Sequence, residues 1–268
     1  MNNITIARET IAITKDRRYV CEGRNVSLPD INYEEVVVID PDTGAGLVEE
    51  LSSQVFTGDV CSIKVTTEDT YEAGLRYDNA VVLNFANAHH PGGGFLHGAN
   101  AQEEALCRAS TLYASISSDE ASAMYRYNNT HLSKVESDHM LLSPNVAVIR
   151  GEGLLLRPVP RLVGVITAPA PNRRGAALLA SQELIRDTFV RRIRIILAIA
   201  CHYGYRNIVL GAWGCGAFGN DPVSVAEYHR QVIVDEGFGK AFDEITFAVY
   251  GREDGKNYLS FKKVFGII

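Results

Sequence analysis

From residue 60 onward the chain alternates short apolar, β-branched runs with amphipathic stretches, and few folds accept that order. The runs VCSIKVT (60–66), AVVLNFA (80–86), NVAVIR (145–150), LVGVITAPA (162–170), NIVLGAW (207–213) and EITFAVY (244–250) read as strands. Between them, 67–75 opens with acidic residues, as a first helical turn prefers. Residues 102–116 put Ala105, Leu106, Ala109, Leu112, Tyr113 and Ile116 at helical spacing, and 181–203 does the same with Ile185, Phe189, Ile193, Ile196, Leu197 and Ala200. A further helix follows Pro222, a residue suited to a first helical position. Strands apolar enough to be buried on both faces, alternating with helices, predict a three-layer α/β/α sheet. Residues 1–58 read as an accessory region, a helix near 4–18 and then loops at SLPDIN and DPDTGAG, and 59–268 as the main domain.

Charge and cysteine usage remove several classes of function. The net charge of −6 is unsuited to binding nucleic acid by phosphate neutralisation. The most basic run, RRIRI at 191–195, falls within a helix and reads as its solvated face. Five scattered cysteines, with no C-x-x-C and no H-E-x-x-H, indicate reduced thiols and no structural zinc or other metal site. No apolar run reaches the roughly 18–20 residues of a membrane span and the N-terminus lacks a signal-peptide core. A cytoplasmic, monomeric protein is expected.

Two glycine-rich loops remain, and neither helps a chain fold. PGGGFLHGANAQEE (91–104) leaves one strand and enters a helix; Gly92, Gly93 and Gly94 let the backbone approach a ligand, and the helix start adds N–H groups suited to phosphate. GAWGCGAFGNDP (211–222) leaves another strand, and its Gly214, Cys215, Gly216, Ala217, Phe218 and Gly219 match G-x-G-x-x-G. A nicotinamide site would want an acidic residue closing the next strand, whereas Asp235 and Glu236 fall at a helix end. The loop reads instead as a second phosphate cradle, with Phe218 to pack on a sugar. Together the loops describe a nucleoside-diphosphate pocket with Glu103 and Glu104 at its edge. Consecutive on a helix, these carboxylates diverge by about 100° and cannot do the same job. The structural alternatives are a surface ion pair from Glu104 to Arg108 at i+4 and dipole complementation by Glu103.

The triple glycine followed after seven residues by Gln102-Glu103-Glu104 resembles the catalytic signature of poly(ADP-ribose) glycohydrolases. VVLNFANAHHPGGGF, AQEEALCRASTLY, ITAPAPN and LGAWGCGAFGNDP resemble the shorter bacterial and fungal branch of that family, over roughly residues 60–250. The resemblance implies a macrodomain-like catalytic domain over 59–268 that binds ADP-ribose, with no cofactor. By the same resemblance Glu104 is the catalytic acid, Glu103 contacts ribose hydroxyls, and Gln102 belongs to the substrate site. Gly92 to Gly94 and Gly214 to Gly219 embrace the diphosphate, and Phe218 orients the distal ribose. Glu68 and Asp69 hold the place of an acidic adenine contact. Asn87 resembles the ribose-contacting asparagine of general macrodomains, where relatives of this branch often carry a small residue. His89, His90 and His97 match no motif and read as loop histidines.

The substrate so implied is poly(ADP-ribose) or an ADP-ribosylated protein, with ADP-ribose as product. A hydrolase of mono-ADP-ribosylated side chains and a non-catalytic ADP-ribose reader are the alternatives; a reader has no need of Gln102-Glu103-Glu104. Glu104 must be protonated to act as an acid, and the Glu103 charge, ligand phosphates and desolvation all push it that way against the helix start. With no ligand cluster for a metal, activity should survive EDTA. Loss of turnover in EDTA that added magnesium restores would overturn the metal-free scheme.

Overall fold

A computed structural model describes residues 2–267. In chain order it contains α1 (Asn3–Asp16), β1 (Arg18–Cys21), β2 (Arg24–Ser27), β3 (Val37–Ile39), α2 (Pro41–Ser53), β4 (Ser62–Thr66), α3 (Thr70–Gly74) and β5 (Ala80–Ala86). There follow α4 (Gln102–Ala109), α5 (Leu112–Ile116), α6 (Ser122–Thr130), β6 (Met140–Arg150), β7 (Leu156–Pro169), α7 (Gln182–His202), β8 (Asn207–Leu210), α8 (Pro222–Arg230), β9 (Glu244–Ala248) and α9 (Lys256–Phe265). The expected layered sheet is present, with seven strands in the order β3-β6-β7-β5-β8-β9-β4. β7, β5, β8, β9 and β4 run parallel, so their C-terminal ends share one edge; β6 is antiparallel to β7. Ligand crevices form outside the C-terminal ends of such strands, and both glycine loops start there.

The central strand shows why the pattern works. Val81, Val82 and Leu83 are fully buried, their side chains divided between a core on one face with α7, α8 and α2, and a core on the other with α4 and α5. α7 starts where Ser181 Oγ accepts the Leu184 amide at 3.1 Å, and its apolar residues cover the first face.

Elements of the stretch 1–58, expected as an accessory region, pack into these layers. β3 pairs with β6 at the sheet edge, α2 packs on α7, and β1–β2 forms a hairpin whose Tyr19 and Cys21 cover Ala147 and Ile149. DPDTGAG is a helix start rather than a loop. Asp40 accepts the Thr43 amide at 2.7 Å and Pro41 takes the first turn, while a Cβ on Gly44 would lie 3.2 Å from Ile195. Its glycine serves close helix packing. The single helix expected over 102–116 breaks at Ser110, which is extended and bridges Val148, because the Thr111 amide bonds Ala147 O at 3.0 Å instead of continuing the helix.

The reading of RRIRI as a solvated face needs a second correction. Arg191 and Arg194 are partly exposed, but Arg192 is fully buried. Its guanidinium donates to Asp138 Oδ1 at 2.8 Å and to the carbonyls of Pro169 (2.9 Å), Val135 (2.5 Å) and Ser137 (2.9 Å), tying the end of β7 to the segment before β6. Arg192→Leu should cost roughly 3–5 kcal/mol, since it strands a carboxylate and three carbonyls. Urea unfolding checks this; a loss below about 1 kcal/mol would place the pair in effective contact with solvent.

Candidate active site

The chain leaves β5 into a turn that the glycines make possible. Gly92 and Gly93 have φ of +69° and +53°, and the turn closes through Gly93 N–H to His90 O (3.0 Å) and Phe95 N–H to Gly92 O (2.9 Å). Phe95 is fully buried against Tyr113, ring centres 4.9 Å apart, and anchors the loop over α4.

Both glutamates turn back under this loop. Glu104 Oε1 accepts the Gly94 amide at 2.9 Å and its Oε2 the Ala101 amide at 3.0 Å. Glu103 Oε2 accepts the Asn87 amide at 2.9 Å and its Oε1 the Asn84 side-chain amide at 3.2 Å. They are 3 % and 7 % exposed for Glu103 and Glu104. A Cβ at Gly93 would lie 2.6 Å from Glu104 Oε1 and 3.2 Å from Glu103 Oε2, so the carboxylates converge on one point beneath a bare stretch of backbone. The ion pair from Glu104 to Arg108 does not form. Arg108 is buried and donates to Ala99 O (2.6 Å) and Asn100 Oδ1 (2.5 Å), bracing the loop that supplies the Glu104 donors.

Burial raises the Glu103 carboxyl to about 8, outweighing the amides of Asn87 and Asn84 that favour its charge; the Glu104 charge adds to the rise. In the free protein burial holds Glu103 protonated at neutral pH. A folded-state pKa above the unfolded one stabilises fully below about 4.3, and that contribution is lost as pH climbs toward 8. Glu103→Gln is neutral throughout and should remove this slope. Calorimetry without ligand should show its Tm gaining on wild type between pH 5 and pH 9; a constant gap would mean an ionised Glu103.

The other expected residues divide into lining and brace. Gln102 spends its whole amide internally, accepting the Phe85 amide (2.9 Å) and donating to Leu83 O (2.8 Å) and Thr70 Oγ1 (3.1 Å), so it fastens α4 to β5. Asn87 Oδ1 accepts the His89 and His90 amides at 2.8 and 3.0 Å, shaping the turn before the glycines. Asp69 caps α3 through the Glu72 amide (2.9 Å) and Glu68 pairs with Arg76, both just beyond β4 on the same edge. His90 and His97 are exposed, and His89 bonds Asn129 at 2.9 Å.

The second loop faces the first across the strand ends. Buried Trp213 donates to Ala168 O at 3.1 Å, and Asn220 ties Gly214 O (2.9 Å) to Pro171 O (2.8 Å). Gly214 and Gly219 have φ of +75° and +73°, and Gly216 and Ala217 are exposed. Phe218 is half-buried at the lip, and burial pushes the Cys215 thiol up to about 12, keeping it an inert packing group. Asp235 and Glu236, the acids a nicotinamide site would need, pair with Arg230 and Arg194 instead.

Two residues escaped the sequence reading. Asn84 holds Glu103 and Thr167 (both 3.2 Å) from inside β5; a lone polar residue in AVVLNFA was its signal. Tyr250, exposed just past β9, lines a cleft of about 240 Å³ with Val249, Lys256 and Tyr258, an aromatic face on which a planar base can stack. Among the described residues no group of three or more His, Cys, Asp or Glu comes together as a metal site would require.

Residues 7–151 match the family described as microbial-type PARG (poly(ADP-ribose) glycohydrolase), catalytic domain. The chain is 38 % identical to the poly(ADP-ribose) glycohydrolase of Thermomonospora curvata, with a TM-score of 0.91 over 98 % of this chain and 99 % of that one. A structure of the Thermomonospora curvata enzyme with the inhibitor ADP-HPD matches at 37 % identity and a TM-score of 0.88, over 97 % and 98 % of the two chains. The Deinococcus radiodurans enzyme in complex with ADP-ribose matches at 35 % identity and 0.81, over 90 % and 98 %. No curated protein sequence matches. Family model, near-complete structural overlap and the buried glutamate pair lead to one assignment: the chain belongs to the microbial-type poly(ADP-ribose) glycohydrolase family.

Proposed function

We propose that this chain hydrolyses the ribose–ribose O-glycosidic bonds of poly(ADP-ribose) and releases ADP-ribose, with Glu104 as the proton donor. The observation that carries the reading is the convergence of Glu103 and Glu104 directly under Gly93, inside a crevice walled by two phosphate-approaching loops. The diphosphate lies between the bare backbones of loops 92–94 and 214–219, with Phe218 against the distal ribose, Glu103 on ribose hydroxyls and Asn87 beside it. Gln102 acts from behind, by fixing the start of α4. On this reading the protein works as a cytoplasmic monomer, its five thiols free.

Burial keeps a proton on Glu103, and the two carboxylates converge beneath Gly93, so on this reading the proton passes within the pair to Glu104. Glu104 gives it to the leaving ribose oxygen as the anomeric C–O bond breaks, through an oxocarbenium-like transition state. Ligand phosphate stabilises the cation. Water then adds to the anomeric carbon and returns a proton to Glu104, leaving ADP-ribose and a polymer shortened by one unit with a free hydroxyl.

Mass spectrometry of products from defined polymer and from defined mono-ADP-ribosyl peptides tests the reading. Free ADP-ribose from polymer is expected. Release only of the peptide-linked unit would move the substrate to mono-ADP-ribosylated protein, and release from neither would make the chain a reader.

A further inference from the structure

A guanidinium at the mouth of the crevice has no partner among the described residues. β7 ends at Pro169, and the chain turns sharply before α7: Asn172 Oδ1 accepts the Arg174 amide at 3.1 Å, and Asn172 O accepts the amides of Gly175 (3.0 Å) and Ala177 (2.9 Å). Asn220 fastens this turn to the second glycine loop through Pro171 O. The Arg174 stem lies across Gly219, with Cγ 3.2 Å and Nε 2.9 Å from where a Cβ would stand, so the bare backbone of Gly219 seats the arginine. Arg174 is exposed, and among the described residues its guanidinium makes no hydrogen bond or ion pair. Arg173 beside it reaches only the neutral Gln182, at 3.0 Å.

The contrast along the same rim is informative. On the β9 side, Lys256 faces Asp221 at 3.6 Å and Arg252 pairs with Asp254 at 2.7 Å. Among the described residues of this rim, it is on the β7 side that a chain of net charge −6 presents two adjacent arginines with no acid set against them. Gly219 follows Phe218, so this charge stands at the distal-ribose end, where the leaving group departs. A guanidinium is suited to phosphate oxygens. Each unit of the polymer beyond the cleaved bond carries a diphosphate, whereas a side chain bearing one ADP-ribosyl group supplies none there.

Resting on the function proposed above, we propose that Arg174, with Arg173 beside it, engages the diphosphate of the unit beyond the cleaved bond and gives the site its preference for polymer. The test compares wild type, Arg174→Glu and the Arg173→Glu/Arg174→Glu double variant. Three quantities are read: kcat/KM on defined ADP-ribose oligomers, kcat/KM on an ADP-ribosyl group carrying an uncharged aryl leaving group, and ADP-ribose affinity by calorimetry. Arg174→Glu should lower oligomer kcat/KM about tenfold at low salt, with the effect fading as salt rises, while the other two quantities change less than about twofold. Unchanged oligomer kcat/KM would overturn the inference alone. Equal losses in all three would overturn it too, by placing Arg174 on the diphosphate of the bound unit itself. A wild type inert toward oligomers would overturn both this inference and the function beneath it.

Discussion

Gly93→Val should fold, yet neither bind ADP-ribose nor turn over. Gly93 has a φ of +53°, where a β-branched residue is strained by roughly 1–3 kcal/mol. The added Cβ would stand 2.6 Å from Glu104 Oε1, a contact that can be relieved only by moving the loop or the carboxylate. From sequence, the intrusion would be expected on the pyrophosphate; the geometry directs it at the glutamates. Both outcomes follow. A displaced loop no longer fits against the diphosphate, lowering affinity about 100-fold or more, and a displaced Glu104 lowers the rate even at saturation. Gly216→Ala is the control, because its Cβ meets nothing within 4 Å and should leave the fold intact. Calorimetry with ADP-ribose decides: wild-type affinity in Gly93→Val would show that the triple glycine is not a cradle.

Glu104→Gln should reduce turnover by about 100-fold or more, as loss of a general acid does, while ADP-ribose still binds. The substitution is not silent structurally. Glu104 accepts amides on both oxygens, and the glutamine NH₂ must face one of those donors, so a Tm loss corresponding to about 1–3 kcal/mol should accompany it. Glu103→Gln should behave differently, raising KM as well as lowering kcat, because a group on the ribose hydroxyls contributes to binding and to rate. Single-turnover hydrolysis and ADP-ribose-induced thermal stabilisation, measured on both variants, separate the roles. Wild-type rates in Glu104→Gln would withdraw the assignment.

What could be read in advance was what local composition carries. Three glycines, two adjacent acids and a second glycine loop are contiguous, and the strands around them are apolar enough to declare their burial. Features set by distant partners were not legible. Gly44 and Gly46 suggested a loop, although Asp40-Pro41 is a helix start, because only α7 explains a glycine at the contact with Ile195. Arg192 looked solvated until Asp138 and three carbonyls, all 23 or more residues away, came to surround it. β1, β2 and β3 are four, four and three residues long, too short for periodicity to speak. In the site, the raised carboxyl of Glu103 was not legible either. Adjacency and helix position are local, but the burial that raises Glu103 comes from the strand and the loop folded over it.

The most direct measurement concerns the proton itself. An ADP-ribosyl substrate with an aryloxide leaving group of low pKa departs without protonation, whereas the ribose hydroxyl of the polymer cannot. If Glu104 gives the proton, Glu104→Gln loses about 100-fold or more in single-turnover rate on polymer but retains most of its rate on the aryl substrate. An equal loss on both substrates would contradict the account and leave Glu104 as a group that shapes the loop without protonating the leaving oxygen.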